Sequence, residues 1–173
     1  YLKNRFSGID NAFALLDYFN GNDKDEEIEK LLDIDLEKHN IFMFSNVYWD
    51  VGMSESRSLY DGVLDWVIAT INLVKDNLDV HLYIKPHPAE VYDVGSSYGV
   101  VDEIHVHFPV LPANVSIIHP NLKILTYKLF PYIDVGVVYN GTLGLEMLLK
   151  NIPVIACALA PYSGNNLVAE PAD

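Results

Sequence analysis

The chain has 173 residues, half of them apolar and 12% aromatic, which supplies a substantial core and excludes wholesale disorder. Twenty-four acidic residues outnumber eleven basic ones, for a formal net charge of −13, so a protein that coats nucleic acid or an anionic membrane is excluded; a local pocket for an anionic small molecule is not. The single cysteine, Cys157, rules out an internal disulfide framework and a cysteine zinc cage, and no apolar run reaches the roughly 18–20 residues of a spanning helix.

The chain starts at Tyr1 and stops at Pro171-Ala172-Asp173 without a closing element, and the expectation is a piece of a longer protein. Lys3, Asn4 and Arg5 precede no continuous apolar stretch, so no signal peptide is expected. Residues 17–40 carry nine acids against three bases. Within them, Asp23 to Glu37 reads as a solvated helix with Ile28, Leu31, Leu32 and Asp35 on one side. Residues 1–38 are therefore set apart as a helical, acidic segment that packs beside the main domain or links to it, and residues 39–173 as the domain itself.

From His39 the pattern alternates. Ile41-Phe42-Met43-Phe44 suits a buried parallel strand, followed by a loop from Val47 to Ser58. Leu59, Val63, Trp66, Val67, Ile71 and Val74 predict a helix, which Asn77 and Asp79 end. Val80 to Lys85 predicts a second strand, stopped by Pro86 and Pro88. The stretch from Ala89 to Pro120 is the least readable, with Gly95, Gly99, Pro109 and Pro112 around an expected strand at Ile104 to Phe108. On such a strand His105 and His107 face the same side; without a third ligand at fixed spacing they read as a solvent-facing pair, and no metal is expected. Regularity returns at Leu122 to Leu125, followed by a short helix at Tyr127 to Tyr132 and a strand at Asp134 to Tyr139. After the turn Asn140-Gly141-Thr142, a helix from Leu143 to Lys150 is expected to bury Leu145, Leu148 and Leu149. Asn151 caps it, and Pro153 to Cys157 is the last strand, with Cys157 as inert core. Strands alternating with helices predict an α/β fold: a parallel sheet with helices on both faces.

Two strand ends carry the candidate chemistry, because ligands of such sheets bind beyond the carboxyl ends of the strands. Lys85-Pro86-His87-Pro88 pins an imidazole between two prolines. There His87 can donate to a phosphate or protonate a leaving oxygen, and Lys85 can supply a point charge; a purely structural histidine is the alternative. In Asn140-Gly141-Thr142-Leu143-Gly144-Leu145-Glu146, Gly141 permits a tight turn and close approach of a ligand. The free N–H groups at the helix start attract an anion. Thr142 either caps the helix or donates its hydroxyl, and Glu146 either accepts from sugar hydroxyls or faces solvent. Gly141 to Gly144 is not a Walker loop, since no Gly-Lys-Ser/Thr follows.

Taken together, Lys85-Pro86-His87-Pro88, then Asn140 to Glu146, then Asn151-Ile152-Pro153-Val154, resemble the capsule polysaccharide biosynthesis family, which includes bacterial glycosyltransferases that use CMP-activated Kdo. Phe44-Ser45-Asn46-Val47-Tyr48-Trp49-Asp50 resembles the segment opening that family's nucleotide-binding half, and Tyr162 its aromatic after the last strand. The resemblance spans roughly residues 39–165. It implies one half of a GT-B architecture, the C-terminal, Rossmann-like, donor-binding domain, with no cofactor and no bound metal. By that analogy Lys85, His87, Asn140, Gly141, Thr142, Leu143 and Glu146 bind the donor. His87 meets the phosphate in catalysis, Glu146 contacts the ribose or base, and Asn46 and Tyr162 are additional donor contacts.

The implied partners are a nucleotide sugar, CMP- or UDP-linked, and a polysaccharide or lipid-linked acceptor held by another half; the implied location is the cytoplasm, extending to the inner face of its membrane. Asn140, where many relatives have Ser, and Ala158, where Gly is common, depart from the family pattern. The rival readings are a non-hydrolysing UDP-sugar 2-epimerase, which would show a Ser-Gly-Gly turn and paired Glu residues, a polyol-phosphate transferase, and a non-catalytic nucleotide-sugar-binding scaffold in polysaccharide export.

Overall fold

The apolar run at Ile41–Phe44 lies in β1 (His39–Phe44), the central strand of the sheet. Phe42 and Phe44 point into one core and Met43 into the other, which is why the run lacks polar alternation. The computed structural model describes residues 25–47, 59–91, 99–122 and 124–170. Residues 1–24 of the acidic segment, Tyr48 to Ser58 with the Tyr48-Trp49-Asp50 part of the family-like segment, Gly95 and Lys123 lie outside the described residues.

β1 is flanked by β2 (Val80–Lys85) and β4 (Val135–Val138), with β3 (Val115–Ile117) and β5 (Val154–Ala156) at the edges. The order is β3-β2-β1-β4-β5 and every pairing is parallel. The fold is thus a Rossmann-like α/β sheet with helices on both faces, as the alternation predicted.

On one face, α2 (Val63–Val74) buries Val63, Trp66, Val67 and Ile71 beside α3 (Val100–His107), and Trp66 meets Tyr139 edge-on at 5.4 Å. Asn114 donates to the carbonyls of Val74, Asn77 and Val80, tying the end of α2 to the start of β2. On the other face lie α1 (Asp25–Leu32), the 3-10 turn Thr126–Tyr132 and α4 (Leu143–Leu148), packed on Phe42, Tyr83 and Val138. Phe42 and Tyr83 stack at 4.7 Å across β1 and β2.

Several expectations are corrected. The strand expected at Ile104 to Phe108 is the end of α3: Val100 and Ile104, one helical turn apart, are both buried, and carboxylates of Glu90 and Asp102 accept the N–H groups of Val100 and Gly99. His105 and His107 are both exposed; two residues apart on a helix they point in different directions, and His107 pairs with Glu103 at 3.4 Å. The third strand is Val115–Ile117, three residues too short to show a period. In α1 the buried anchor is Ile28, while Leu31 is exposed; Asp33 turns left-handed (φ 50°), the Ile34 N–H reaches back to the Glu29 carbonyl, and Ile34 is buried.

α4 is rotated from the expected face. It buries Gly144, Glu146 and Met147, leaving Leu145 and Leu149 exposed. Gly136 on β4 sets this rotation, because a Cβ there would run into the Met147 thioether. Asn151 ends the helix as expected, left-handed at φ 60°, with Asn151 N–H on the Leu148 carbonyl and Ile152 N–H on that of Met147.

Candidate functional site

In the order β3-β2-β1-β4-β5 the chain direction of travel across the sheet reverses between β1 and β4, and a crevice opens beyond their carboxyl ends. A cleft of about 290 Å³ occupies this place. β1 delivers Ser45 and Asn46 to it, β2 delivers Lys85 and His87, and the turn after β4 delivers Gly141, Thr142 and Leu143. Residues more than fifty positions apart in sequence therefore share one cavity.

Lys85 is 3% exposed although it lines the cleft. Burial pulls its ammonium down from 10.5 to about 8, so near neutral pH it remains a cation in a poorly solvated place. A dehydrated cation is a strong partner for an anion entering the same cleft.

The His87 ring is fixed by its neighbour: Nδ1 accepts the Ala89 N–H at 3.1 Å. Pro88 opens a 3-10 turn, Pro88–Val91, in which the Glu90 N–H returns to the His87 carbonyl. With Nδ1 as acceptor, the proton of the neutral ring sits on Nε2. The side chain is thus prepared as a hydrogen-bond donor.

Glu90, one turn further on, lies outside the cleft lining. Burial raises its carboxyl from 4.5 to about 7, an effect that the Val100 N–H opposes.

The turn after β4 is held from below. The Tyr162 hydroxyl donates to the Gly141 carbonyl at 2.6 Å, and the Tyr162 ring passes under Gly144, where a Cβ would collide with it. Asn46 Nδ2 donates to Asn140 Oδ1 at 2.9 Å, joining the ends of β1 and β4. Tyr162, buried, and Asn140 support the turn and are not among the residues lining the cleft.

Thr142 is exposed at the helix start and makes no side-chain cap, so of its two sequence readings the cap is excluded. α4 has only six residues, so the polar side chains of the cleft outweigh its dipole. Glu146 does not face solvent: it is 6% exposed, lines the cleft, and its Oε2 accepts the Tyr127 hydroxyl at 2.9 Å.

Sequence reasoning missed Thr126 and Tyr127, which close the cleft from the 3-10 turn, and gave Ser45 no role. No motif surrounds Tyr127; only the tertiary contact with Glu146 marks it. Cys157 is buried, and burial raises its thiol to about 11, in keeping with inert core. Among the described residues no group of three or more His, Cys, Asp or Glu could hold a metal, and no helix is long and apolar enough to cross a membrane.

No protein-family model matches the sequence, and no curated protein matches it. Solved structures do resemble the fold. The Thermosulfurimonas dismutans KpsC β-Kdo 2,7 transferase is similar at a TM-score of 0.56 and 17% identity, over 96% of this chain and 53% of that one. The β-Kdo 2,4 transferase of T. dismutans KpsC is similar at 0.52 and 14%, over 99% and 53%. The S. aureus MnaA–UDP structure is similar at 0.55 and 14%, over 83% and 35%. The chain thus has the Rossmann-like fold of one half of a GT-B architecture and spans about half the length of the first two structures.

Proposed function

We propose that this chain is the donor-binding half of a glycosyltransferase of capsule or surface polysaccharide biosynthesis, taking a CMP-linked, Kdo-like sugar acid. One observation carries the reading: Lys85, His87, Thr142 and Glu146, drawn from two separate motifs, line a single cleft at the switch point of the sheet. The fold shared with two Kdo transferases supports the reaction class. Lys85, His87, Gly141, Thr142, Leu143, Glu146 and Asn46 form the donor site, with Asn140 and Tyr162 shaping its turn.

The chemistry follows from the charges. Transfer breaks the bond between the anomeric carbon and the phosphate oxygen, and the electron pair stays on the departing CMP. The buried Lys85 ammonium and the His87 Nε2–H stabilise that growing charge, and the Thr142 hydroxyl donates a further hydrogen bond. The acceptor, a growing polysaccharide or its lipid-linked primer, presents its hydroxyl from another half of the enzyme, at the cytoplasmic side of the membrane.

The similarity to a UDP-bound MnaA structure favours a second reading, a uridine-linked donor. Against it, Gly141-Thr142 is followed by Leu-Gly-Leu and one Glu146, without a Ser-Gly-Gly turn and paired Glu residues. Calorimetric titration of the chain with CMP, UMP, UDP and AMP, without added divalent metal, tests both. Preference for CMP is expected. Preference for a uridine nucleotide moves the assignment to the second reading, and no binding by any nucleotide removes both.

A further inference from the structure

The wall of the cleft that carries His87 runs into a turn, and that turn is tied to a helix outside the cleft. Pro86, His87 and Pro88 line the cleft, and Pro88 opens the 3-10 turn Pro88–Val91. Two N–H groups of this turn bond to the histidine. That of Ala89 is accepted by the ring Nδ1 at 3.1 Å, and that of Glu90 by the His87 carbonyl at 3.0 Å. The ring therefore moves with the turn. Glu90 itself is not part of the cleft lining. Its side chain reaches α3 instead, where Oε2 accepts the Val100 N–H at 3.1 Å and closes a loop across ten residues of sequence.

The start of α3 is made to receive that side chain. The residue before the helix is Gly99, which has no side chain to cap it, so the first helical N–H finds its acceptor on Glu90. A Cβ on Gly99 would lie 3.0 Å from Glu90 Oε2, so the glycine also leaves the space. Val100 and Ile104 are fully buried, which fixes this end of the helix to the core. We infer that Glu90 is a positioning residue for His87: by bridging the turn to α3, it holds the imidazole in place for a ligand in the cleft. The inference rests on the nucleotide-binding reading above and deepens it, naming what fixes one residue of that site before the ligand arrives. Reach to the Val100 N–H is what the role requires, and a carboxylate or an amide oxygen can each supply it.

The test is calorimetric titration of the chain with CMP, and in parallel with UMP so that base choice does not affect the result. Glu90→Ala removes the bond to Val100 and is expected to weaken binding roughly three- to tenfold, because the freed turn must be ordered again when the ligand binds. Glu90→Gln keeps an oxygen at the same reach and is expected to restore affinity to within about twofold of the parent. Glu90→Asp keeps the charge but is one methylene short, and is expected to bind as weakly as Glu90→Ala. In a His87→Ala background, Glu90→Ala should weaken binding no further, since the group it positions is gone. Parent-like binding by Glu90→Ala, or a Glu90→Gln variant as weak as Glu90→Ala, overturns the inference and leaves the nucleotide site standing. Equal losses with and without His87 overturn it also, making Glu90 a structural residue. A parent that binds neither nucleotide overturns the nucleotide reading and the inference together. Melting curves check the fold of each variant. If Glu90→Ala does not fold, Glu90→Asp decides against Glu90→Gln: parent-like binding by the aspartate overturns the inference, and weakening in the aspartate alone supports it.

Discussion

The Tyr162 hydroxyl donates to the Gly141 carbonyl at 2.6 Å, reaching it beneath α4 where Gly144 has no side chain. Burial raises the phenol from 10.0 to about 12, so it stays a donor across the physiological range. The contact sets the direction of the peptide between Gly141 and Thr142, and hence what that turn presents to the cleft.

Removing this hydroxyl separates positioning from folding. Tyr162→Phe is expected to cost about 1 kcal/mol of stability, the net value of one neutral hydrogen bond, and to weaken nucleotide binding. Gly144→Ala places a methyl group against the Tyr162 ring and hydroxyl and should cost about 1–3 kcal/mol. Combining the two should cost less than their sum, because the phenylalanine removes one of the colliding atoms. Urea melts of all four proteins check this; strict additivity would refute the contact.

Replacement of His87 tests the proposed phosphate contact. His87→Ala should lower nucleotide affinity roughly 10- to 100-fold, the scale of a charge-assisted hydrogen bond. Its flanking prolines keep the backbone in shape, so the melting temperature should move little. A variant that melts early yet binds as tightly as the parent would make the histidine a structural residue.

Lys85 predicts a trade between stability and binding. Its value moves from 10.5 down to about 8 on burial. Between those values the unfolded chain binds a proton that the folded chain lacks, so stability rises with pH from about 8 to 10.5. Below pH 8 the buried ammonium costs the fold about 3 kcal/mol. Lys85→Met should therefore melt higher than the parent at pH 7 and bind nucleotide more weakly. Binding by the parent should also weaken between pH 7 and 9 as the ammonium loses its proton, and that pH dependence should vanish in the variant. A variant that melts lower at pH 7 would contradict the assignment.

Glu90 carries the opposite sign. Burial raises its carboxyl from 4.5 to about 7, so the folded chain holds a proton that the unfolded chain has lost, and stability falls as pH rises through that window. Its Oε2 accepts the Val100 N–H at 3.1 Å, a bond an amide oxygen can keep, while Oε1 is buried without a partner among the described residues. Glu90→Gln is expected to leave melting at pH 4.5 nearly unchanged and to raise it at pH 8. Thermal melts at the two pH values check it; equal shifts at both would refute the titration.

Much of the fold was legible because strand and helix periods are local. Ile41–Phe44, Val80–Lys85 and the Val63–Ile71 face are long enough to show theirs, and the prolines after Lys85 mark a strand end without ambiguity. The histidines near Ile104 misled, because an eight-residue helix with only Val100 and Ile104 buried shows little more periodicity than a strand. Val115–Ile117 showed none, since three residues cannot.

For the candidate site, the sequence by itself determined the residue types at the strand ends: a lysine and a proline-pinned histidine after one strand, a glycine turn with Thr142 and Glu146 after another. Local chemistry and backbone restriction sufficed for that. Only the tertiary structure decided which of them meet. The parallel order β2-β1-β4 brings the two motifs to one cleft across more than fifty residues, and the rotation of α4 set by Gly136 and Met147 turns Glu146 inward onto Tyr127. It also places the Tyr162 hydroxyl beneath Gly141. Helix rotation and strand order depend on packing between segments distant in the chain, and no local period encodes them.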